Sequence, residues 1–189
     1  LGVIGLLDTP RPKVRETLTA LRALGIRRMI MISGDHQKAA QAVAGQVGLT
    51  EAWGDLMPED KVEAIRKLRA EAAVAMVGDG VNDAPAMATA TVGVAMGAAG
   101  SDVALETADV ALMADDLSKL PFTVGLGRQT RRIIRQNLFV SLGVVAFLVP
   151  ATILGLGIGP AVALHEGSTL LVVFNALRLL AWRDPRPAS

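Results

Sequence analysis

Gly78-Asp79-Gly80-Val81-Asn82-Asp83 sets two carboxylates four positions apart in a loop tightened by two glycines. Hard oxygen donors at that spacing suit a cation such as Mg²⁺. Asp79 reads as a direct ligand, and Asp83 as a ligand through water or a group behind it. Gly80 lets the backbone approach a phosphate or the ion's waters. Gly and Asp are also ordinary turn residues, so Gly-Asp-Gly alone fits a solvated turn equally well. Ser33-Gly34-Asp35 offers a hydroxyl and backbone N–H groups ahead of a predicted helix, a combination that holds phosphoryl oxygens. Its simpler role is to cap that helix. Lys61, in Pro58-Glu59-Asp60-Lys61, stands in the first turn of another predicted helix, where a cation opposes the helix dipole. Neutralising a phosphoryl group would give it a reason to be there; by itself it is an ordinary surface lysine. His165-Glu166-Gly167-Ser168-Thr169 brings imidazole, carboxylate and hydroxyl donors into an otherwise apolar stretch. That set suits a borderline divalent cation such as Zn²⁺ or Co²⁺.

The elements that position these groups follow from hydrophobic periodicity. Leu1–Leu7 reads as a buried strand. Asp8–Pro12 opens a helix with Val14, Leu18, Leu21 and Leu24 on one face, and Gly25 ends it. Strands are expected at Met29–Ile32, Val74–Val77, Val92–Met96 and Val110–Met113. Helices are expected over Gln37–Val47, stopped by Gly48, and from Pro58 with Val62, Ile65 and Leu68 inward. Alternating strands and helices imply a doubly wound α/β parallel sheet, whose ligands bind at the carboxyl ends of the strands. All three polar clusters of the first 120 residues fall after strands or at a helix start.

The charge distribution divides the chain. Of its 37 Lys, Arg, Asp and Glu residues, 32 lie in 1–135 and five in 136–189, and no charged residue or histidine occurs from Gln136 to Leu164. The expected organisation is a soluble head at 1–120, a basic linker helix at 121–136, a two-helix transmembrane hairpin within 137–183, and a tail at 184–189. The spans are Asn137–Leu156 and Ala161–Leu180, about 20 residues each, enough to cross the hydrocarbon core. The glycine-rich Gly155–Pro160 forms their turn, and Pro150 marks a kink or a boundary. Arg128, Arg131, Arg132 and Arg135 precede the pair; Arg178, Arg183 and Arg186 end or follow it. Positive-inside bias then puts both ends, and the head, in the cytoplasm. An ionisable pair at membrane depth marks an ion path. Alternatively, His165 and Glu166 snorkel to water from a position five or six residues beyond Pro160. A formal charge of +1 speaks against a nucleic-acid partner, and the absence of Cys excludes thiolate chemistry. The apolar start without Met or a signal-peptide pattern reads as the C-terminal piece of something longer.

In order, Ser after one strand, Lys at a helix start and GDGxxxD after a later strand resemble the second, third and fourth motifs of the haloacid dehalogenase superfamily. More narrowly, residues 1–183 resemble the phosphorylation domain and last two membrane helices of P-type ATPases. Ser33-Gly34-Asp35 stands where that family has Thr-Gly-Asp, and Pro58–Lys61 matches its P-x-x-K segment. GDGVNDAPAM (78–87) matches its hinge signature, and DTPRP (8–12) its D-x-x-R-P element. His36 stands where many members have Asn. The family's DKTGT motif with the phosphorylated Asp, its nucleotide domain and its actuator loop have no counterpart here, so no phosphoenzyme is expected from this chain alone. HEGST followed by Asn175-Ala176-Leu177-Arg178-Leu179 resembles the last transmembrane helix of heavy-metal members, nearest the HEG-type cobalt/zinc subgroup. Ser168 replaces a frequent Gly, and Thr169 is kept.

The resemblance implies an ATP-driven divalent heavy-metal transporter of the Zn/Co/Cd type in a plasma or inner membrane. It uses Mg²⁺ and ATP, its partners being the metal ion, membrane lipid and the missing N-terminal part. The implied catalytic set is Ser33, Gly34, Asp35, Lys61, Asp79, Asn82 and Asp83. Asp79, Gly80 and Asp83 serve Mg²⁺, and His165, Glu166, Ser168 and Thr169 serve the transported ion. A membrane-anchored phosphatase of the same superfamily would share the head motifs but have no use for His165 and Glu166. An inactive truncated remnant is the third reading. Without the nucleophile-bearing strand the sheet is expected to keep an open slot, leaving residues 1–120 unstable or prone to aggregate when expressed alone.

Overall fold

A computed structural model describes residues 13–49, 51–78, 82–97 and 106–182. The strand expected at Leu1–Leu7, the Asp8–Pro12 turn, Asp79, Gly80, Arg183 and Arg186 lie outside the described residues. The chain divides into two compact units, Leu1–Pro121 and Phe122–Ser189.

The first unit alternates helix and strand: α1 (Val14–Ala23), β1 (Ile30–Ile32), α2 (Gln37–Val47), β2 (Glu51–Trp53), α3 (Pro58–Glu71), β3 (Ala75–Gly78), α4 (Ala84–Thr89), β4 (Val92–Met96) and β5 (Val110–Leu112). All pairings are parallel, as expected for strands joined by helical crossovers. Among the described residues the strands form two sheets, β1–β2 and β3–β4–β5, rather than the single sheet expected. β1 and β3 therefore each keep one edge without a strand partner among those residues.

The two sheets share one core. Ile65 of α3, Met76 of β3, Ala86 and Met87 of α4, Ala90 and Ala95 pack together, with Ile32 of β1, Val62 and Leu68 against them. The core runs to small side chains, so α4 lies very close to the sheet: a Cβ on Gly93 would stand 3.0 Å from the Met87 carbonyl oxygen. The α1 face is as expected, with Leu18 and Leu21 buried, and Gly25 ends it at φ 83°. α2 has the expected bounds, and Gly48 takes its left-handed C-cap at φ 84°. Strand β2 went unrecognised: Glu-Ala-Trp is three residues long, too short for a period-two pattern to register.

The second unit is a helical hairpin. α5 (Leu120–Ile153) is one continuous helix of 34 residues, about 51 Å long. It fuses the expected basic linker and first span, and it follows directly on a short 3₁₀ turn, Leu117–Lys119. Pro150 lies inside it, three residues before its end, rather than at a boundary. Near that proline Thr152 Oγ1 donates to the Leu148 and Val149 carbonyls, at 2.9 Å each. The turn is shorter than Gly155–Pro160, because α6 (Ile158–Leu177) already includes Gly159 and Pro160. Proline is tolerated there, since first-turn N–H groups have no intrahelical acceptor. At the end away from the turn, Asn175 Nδ2 donates to Asn137 Oδ1 at 2.8 Å and to Gln136 Oε1 at 3.2 Å. These bonds fix the register of the two helices. Both helices are long and apolar enough to cross a membrane, and neither is buried along its apolar window.

Candidate functional site

Lys61 and Asp83 meet. Lys61 Nζ donates to Asp83 Oδ1 at 2.7 Å, with side chains only 15% and 18% exposed. Local chemistry brings them together. Pro58 starts α3, and the Asp60 carboxylate accepts the Met57 N–H at 3.0 Å, so the helix begins firmly. Lys61 is then the fourth helical residue and points along α3 towards the loop after β3. Asp83 is the N-cap residue of α4, yet its side chain does not cap that helix. It is carried over the end of β3, where a Cβ on Gly78 would stand 2.7 Å from Asp83 Oδ2 and 2.8 Å from its Cβ. Gly78 is thus the residue that lets Asp83 reach Lys61. The expectation of an ordinary surface lysine fails, and the odd placement near a helix start is explained by this carboxylate. Asn82 is exposed beside the pair.

Ser33 and Asp35 form a second constellation. Ser33 Oγ donates to Asp35 Oδ2 at 2.7 Å, and the Asp35 N–H donates to Ser33 Oγ at 3.1 Å. Neither caps α2. His36 does, its Nδ1 accepting the Lys38 N–H at 3.2 Å. A residue on the next position took the capping role, leaving the hydroxyl and carboxylate bound to each other at the carboxyl end of β1. Among the described residues no hydrogen bond or ion pair joins this pair to Lys61 and Asp83.

The loop after β1 is held by residues the sequence reading passed over. Gln37 Nε2 donates to the Ala52 carbonyl at 2.8 Å, and Gln37 Oε1 accepts the Gly54 N–H at 2.5 Å. Asp55 Oδ2 accepts the Gln37 N–H at 3.0 Å, and the Asp55 N–H donates to the Asp35 carbonyl at 2.6 Å. Asp55 adopts φ 55°, a left-handed conformation that Asp tolerates better than most residues. A Cβ on Gly54 would stand 2.5 Å from Gln37 Cα. The Gly54-Asp55 dipeptide was the available signal, since Gly and Asp together mark tight turns. At the far end of β2, Arg28 grips Glu51 through two bonds of 2.8 and 2.9 Å and reaches Glu71 at 2.9 Å. The Arg28 hydrogen bond holds the Glu51 carboxyl below the usual carboxylate range, and Arg28 itself is raised in turn. Hydrogen bonds from Ser118 likewise lower Asp116, ahead of the 3₁₀ turn.

In the hairpin, His165 and Glu166 are the eighth and ninth of the 20 residues of α6, about 10–12 Å from its start. The helix start at Ile158 puts them further along α6 than counting from Pro160 implied. Both are exposed on the hairpin, while Gly167 and Ser168 are half-buried. Ser168 Oγ and Thr169 Oγ1 both donate to the His165 carbonyl, at 2.7 and 3.2 Å. Their protons are thereby occupied, and their oxygen lone pairs stay outward. No group of three or more His, Cys, Asp or Glu gathers at one place among the described residues. Any cation held by His165 and Glu166 needs donors from elsewhere.

Residues 1–91 match the haloacid dehalogenase-like hydrolase family. The chain is 48% identical over 186 residues to a probable cadmium-transporting ATPase of Listeria monocytogenes, covering 97% of this chain and 26% of that protein. It is 47% identical over 191 residues to a manganese-exporting P-type ATPase of Mycobacterium tuberculosis, covering 98% of this chain and 26% of that one. In three dimensions it is similar to a zinc-transporting PIB-type ATPase crystallised in an E2·Pi state. The TM-score is 0.84 at 47% identity, over 92% of this chain and 28% of the other. The chain spans about a quarter of the length of these relatives.

Proposed function

We infer that this chain, homologous over 97% of its length to heavy-metal P-type ATPases, is part of an ATP-driven exporter of divalent heavy-metal cations that works through an aspartyl phosphate carried outside residues 1–189. The observation that carries the reading is the Lys61–Asp83 ion pair over Gly78. It joins two separate motif segments at the carboxyl end of β3, where a parallel α/β sheet places its chemistry.

In this reading Lys61 supplies positive charge to the phosphoryl group, and Asp83 holds the ammonium in position. Ser33, whose proton goes to Asp35 Oδ2 at 2.7 Å without a ligand, turns that proton to a phosphoryl oxygen when one is bound, with the Gly34 N–H beside it. Asn82 adds a neutral donor on the open side. The family's use of ATP and Mg²⁺ extends to this chain as follows. Asp79, and Asp83 through water, would hold Mg²⁺, and Gly80 would admit close backbone approach. The oxygen donor set suits a hard cation, and Asp83 Oδ2 lies outside the Lys61 bond. Bound Mg²⁺ neutralises charge on the transferred phosphoryl group. The nucleotide itself is bound by a domain outside residues 1–189.

The cargo is a divalent transition-metal ion. His165, Glu166, Ser168 and Thr169 offer it one nitrogen and three oxygens from one helix, and other helices of the complete transporter supply the rest. Residues 1–120 act as the head, 121–136 as the helical link and 137–183 as the membrane pair. Head movements are passed towards the Glu166 site through the Arg-rich stretch 127–136.

The test is ATP hydrolysis by the full-length protein with and without Cd²⁺, Zn²⁺ or Mn²⁺. Glu166→Ala is expected to abolish metal stimulation. Unchanged stimulation would remove the transport site from α6 and leave a membrane-anchored phosphatase as the better reading.

A further inference from the structure

The head-proximal half of α5 carries Arg128, Arg131, Arg132 and Arg135. The spacing i, i+3, i+4, i+7 puts all four guanidinium groups on one stripe of the helix. With Gln136 and Phe139 they line a shallow, open concavity of about 460 Å³. The helix then runs on unbroken into the apolar span, so the stripe stops where the hydrocarbon would begin.

The sequence contains no Asp or Glu between Leu117 and His165. No ion pair involves Arg131, Arg132 or Arg135 among the described residues, and all three are exposed. In residues 122–189 seven arginines face two carboxylates, Glu166 and Asp184. Glu166 sits deep in α6, far along the hairpin from Arg131–Arg135. An anion from outside the unit is the natural partner for such a stripe.

We propose that the Arg128–Arg135 stripe and the adjoining Gln136 and Phe139 bind the phosphate headgroup of an anionic phospholipid. The guanidinium groups grip the phosphate through charge-assisted hydrogen bonds. Phe139 packs against the upper acyl chain, and the Gln136 amide lies level with the glycerol backbone. The position favours a lipid over a soluble anion, because one wall is basic, the other end apolar, and the two meet at the membrane surface. The proposal rests on the membrane reading of the hairpin.

The experiment is native mass spectrometry of the full chain released from nanodiscs of equal phosphatidylglycerol and phosphatidylcholine. A single basic side chain at an anionic surface is worth about fivefold in binding, so the native chain should retain phosphatidylglycerol over phosphatidylcholine by at least about fivefold. In R131Q/R132Q/R135Q the retained lipids should approach equal amounts. R131K/R132K/R135K, which keeps the charge, should restore most of the preference and controls for folding. Equal retention by the native chain, or an undiminished preference in the glutamine variant, overturns the proposal. Loss of the preference in 10 mM inorganic phosphate would assign the stripe to a soluble anion instead, and also overturns it. Retention of neither lipid would defeat the membrane reading together with the proposal, an outcome distinct from equal retention.

Discussion

Replacing Gly78 by alanine tests the arrangement of the head at its tightest point. The new Cβ would stand 2.7 Å from Asp83 Oδ2, 3.2 Å from Cγ and 2.8 Å from Cβ. Rotation about χ1 of Asp83 moves the first two atoms but not Cβ. Carbon atoms in contact sit about 3.5–4.0 Å apart, so the Asp83 backbone must retreat from β3 by roughly 0.7–1.2 Å. That backbone is anchored: the Asp83 carbonyl accepts the Met87 N–H at 2.8 Å, and Ala84, Ala86 and Met87 of α4 are buried. Retreat therefore displaces α4 or stretches the 2.7 Å bond to Lys61. Overpacking of this kind costs about 1–3 kcal/mol. Loss of a partly screened ion pair adds roughly 1 kcal/mol, between the values for exposed and buried pairs. The sum, about 2–4 kcal/mol, corresponds to about 30- to 1,000-fold less protection from local opening. Amide hydrogen exchange at Met87 and Ala90, in the chain held in detergent micelles, reads this directly. Lys61→Ala should also cost less in the Gly78→Ala background than in the native one, because the pair is already broken there. Native-like protection of α4, or a Lys61→Ala cost unaffected by Gly78→Ala, would show that Gly78 does not set the Lys61–Asp83 contact.

Gly54→Ala should be worse tolerated than most glycine substitutions, by about 3 kcal/mol, since the clash at 2.5 Å is with the Gln37 backbone; exchange at Gln37 and Asp55 amides would show it, and unaltered rates would contradict it. His36→Ala should cost about 1 kcal/mol through the lost α2 cap without altering the Ser33–Asp35 bond; faster exchange confined to the first turn of α2 is the expected pattern. The Arg28–Glu51 pair lowers the folded carboxyl pKa. Its stabilisation is therefore complete above the unfolded glutamate value and is lost as pH falls through the lower, folded value. Glu51→Gln should flatten the acid side of the stability–pH curve, and an unchanged curve would sink the assignment. Residues 1–120 alone should self-associate through the edges of β1 and β3 that have no strand partner among the described residues; a monomer by sedimentation velocity with a cooperative melt would contradict that.

What the sequence made legible followed from strong periodicity and strong punctuation. α2 ends where Gly48 permits a left-handed cap, and β4 is an unbroken apolar run, so both have their expected bounds. The pair of long apolar helices was visible because charge vanishes over Gln136–Leu164. Other features depend on distances that sequence spacing does not carry. Lys61 and Asp83 are 22 residues apart, and only the close fit at Gly78 makes them partners. The capping of α2 by His36 was obscured because Ser and Asp, the stronger capping types, stand just before it. β2 is three residues long and is fixed by its pairing with β1 and by Gln37, neither of which is local. The start of α6 at Ile158 was hidden by Gly159 and Pro160, residues that break a helix interior but suit its first turn.

The most direct measurement is phosphoenzyme formation from γ-labelled ATP by the full-length protein, with and without a divalent metal. Labelling should require both Mg²⁺ and the transported metal, weaken in Lys61→Ala and be lost in Glu166→Ala even at high metal concentration. Metal-dependent labelling that survives Glu166→Ala unchanged would contradict the central claim that the head around Lys61 and Asp83 answers to a cation site on α6.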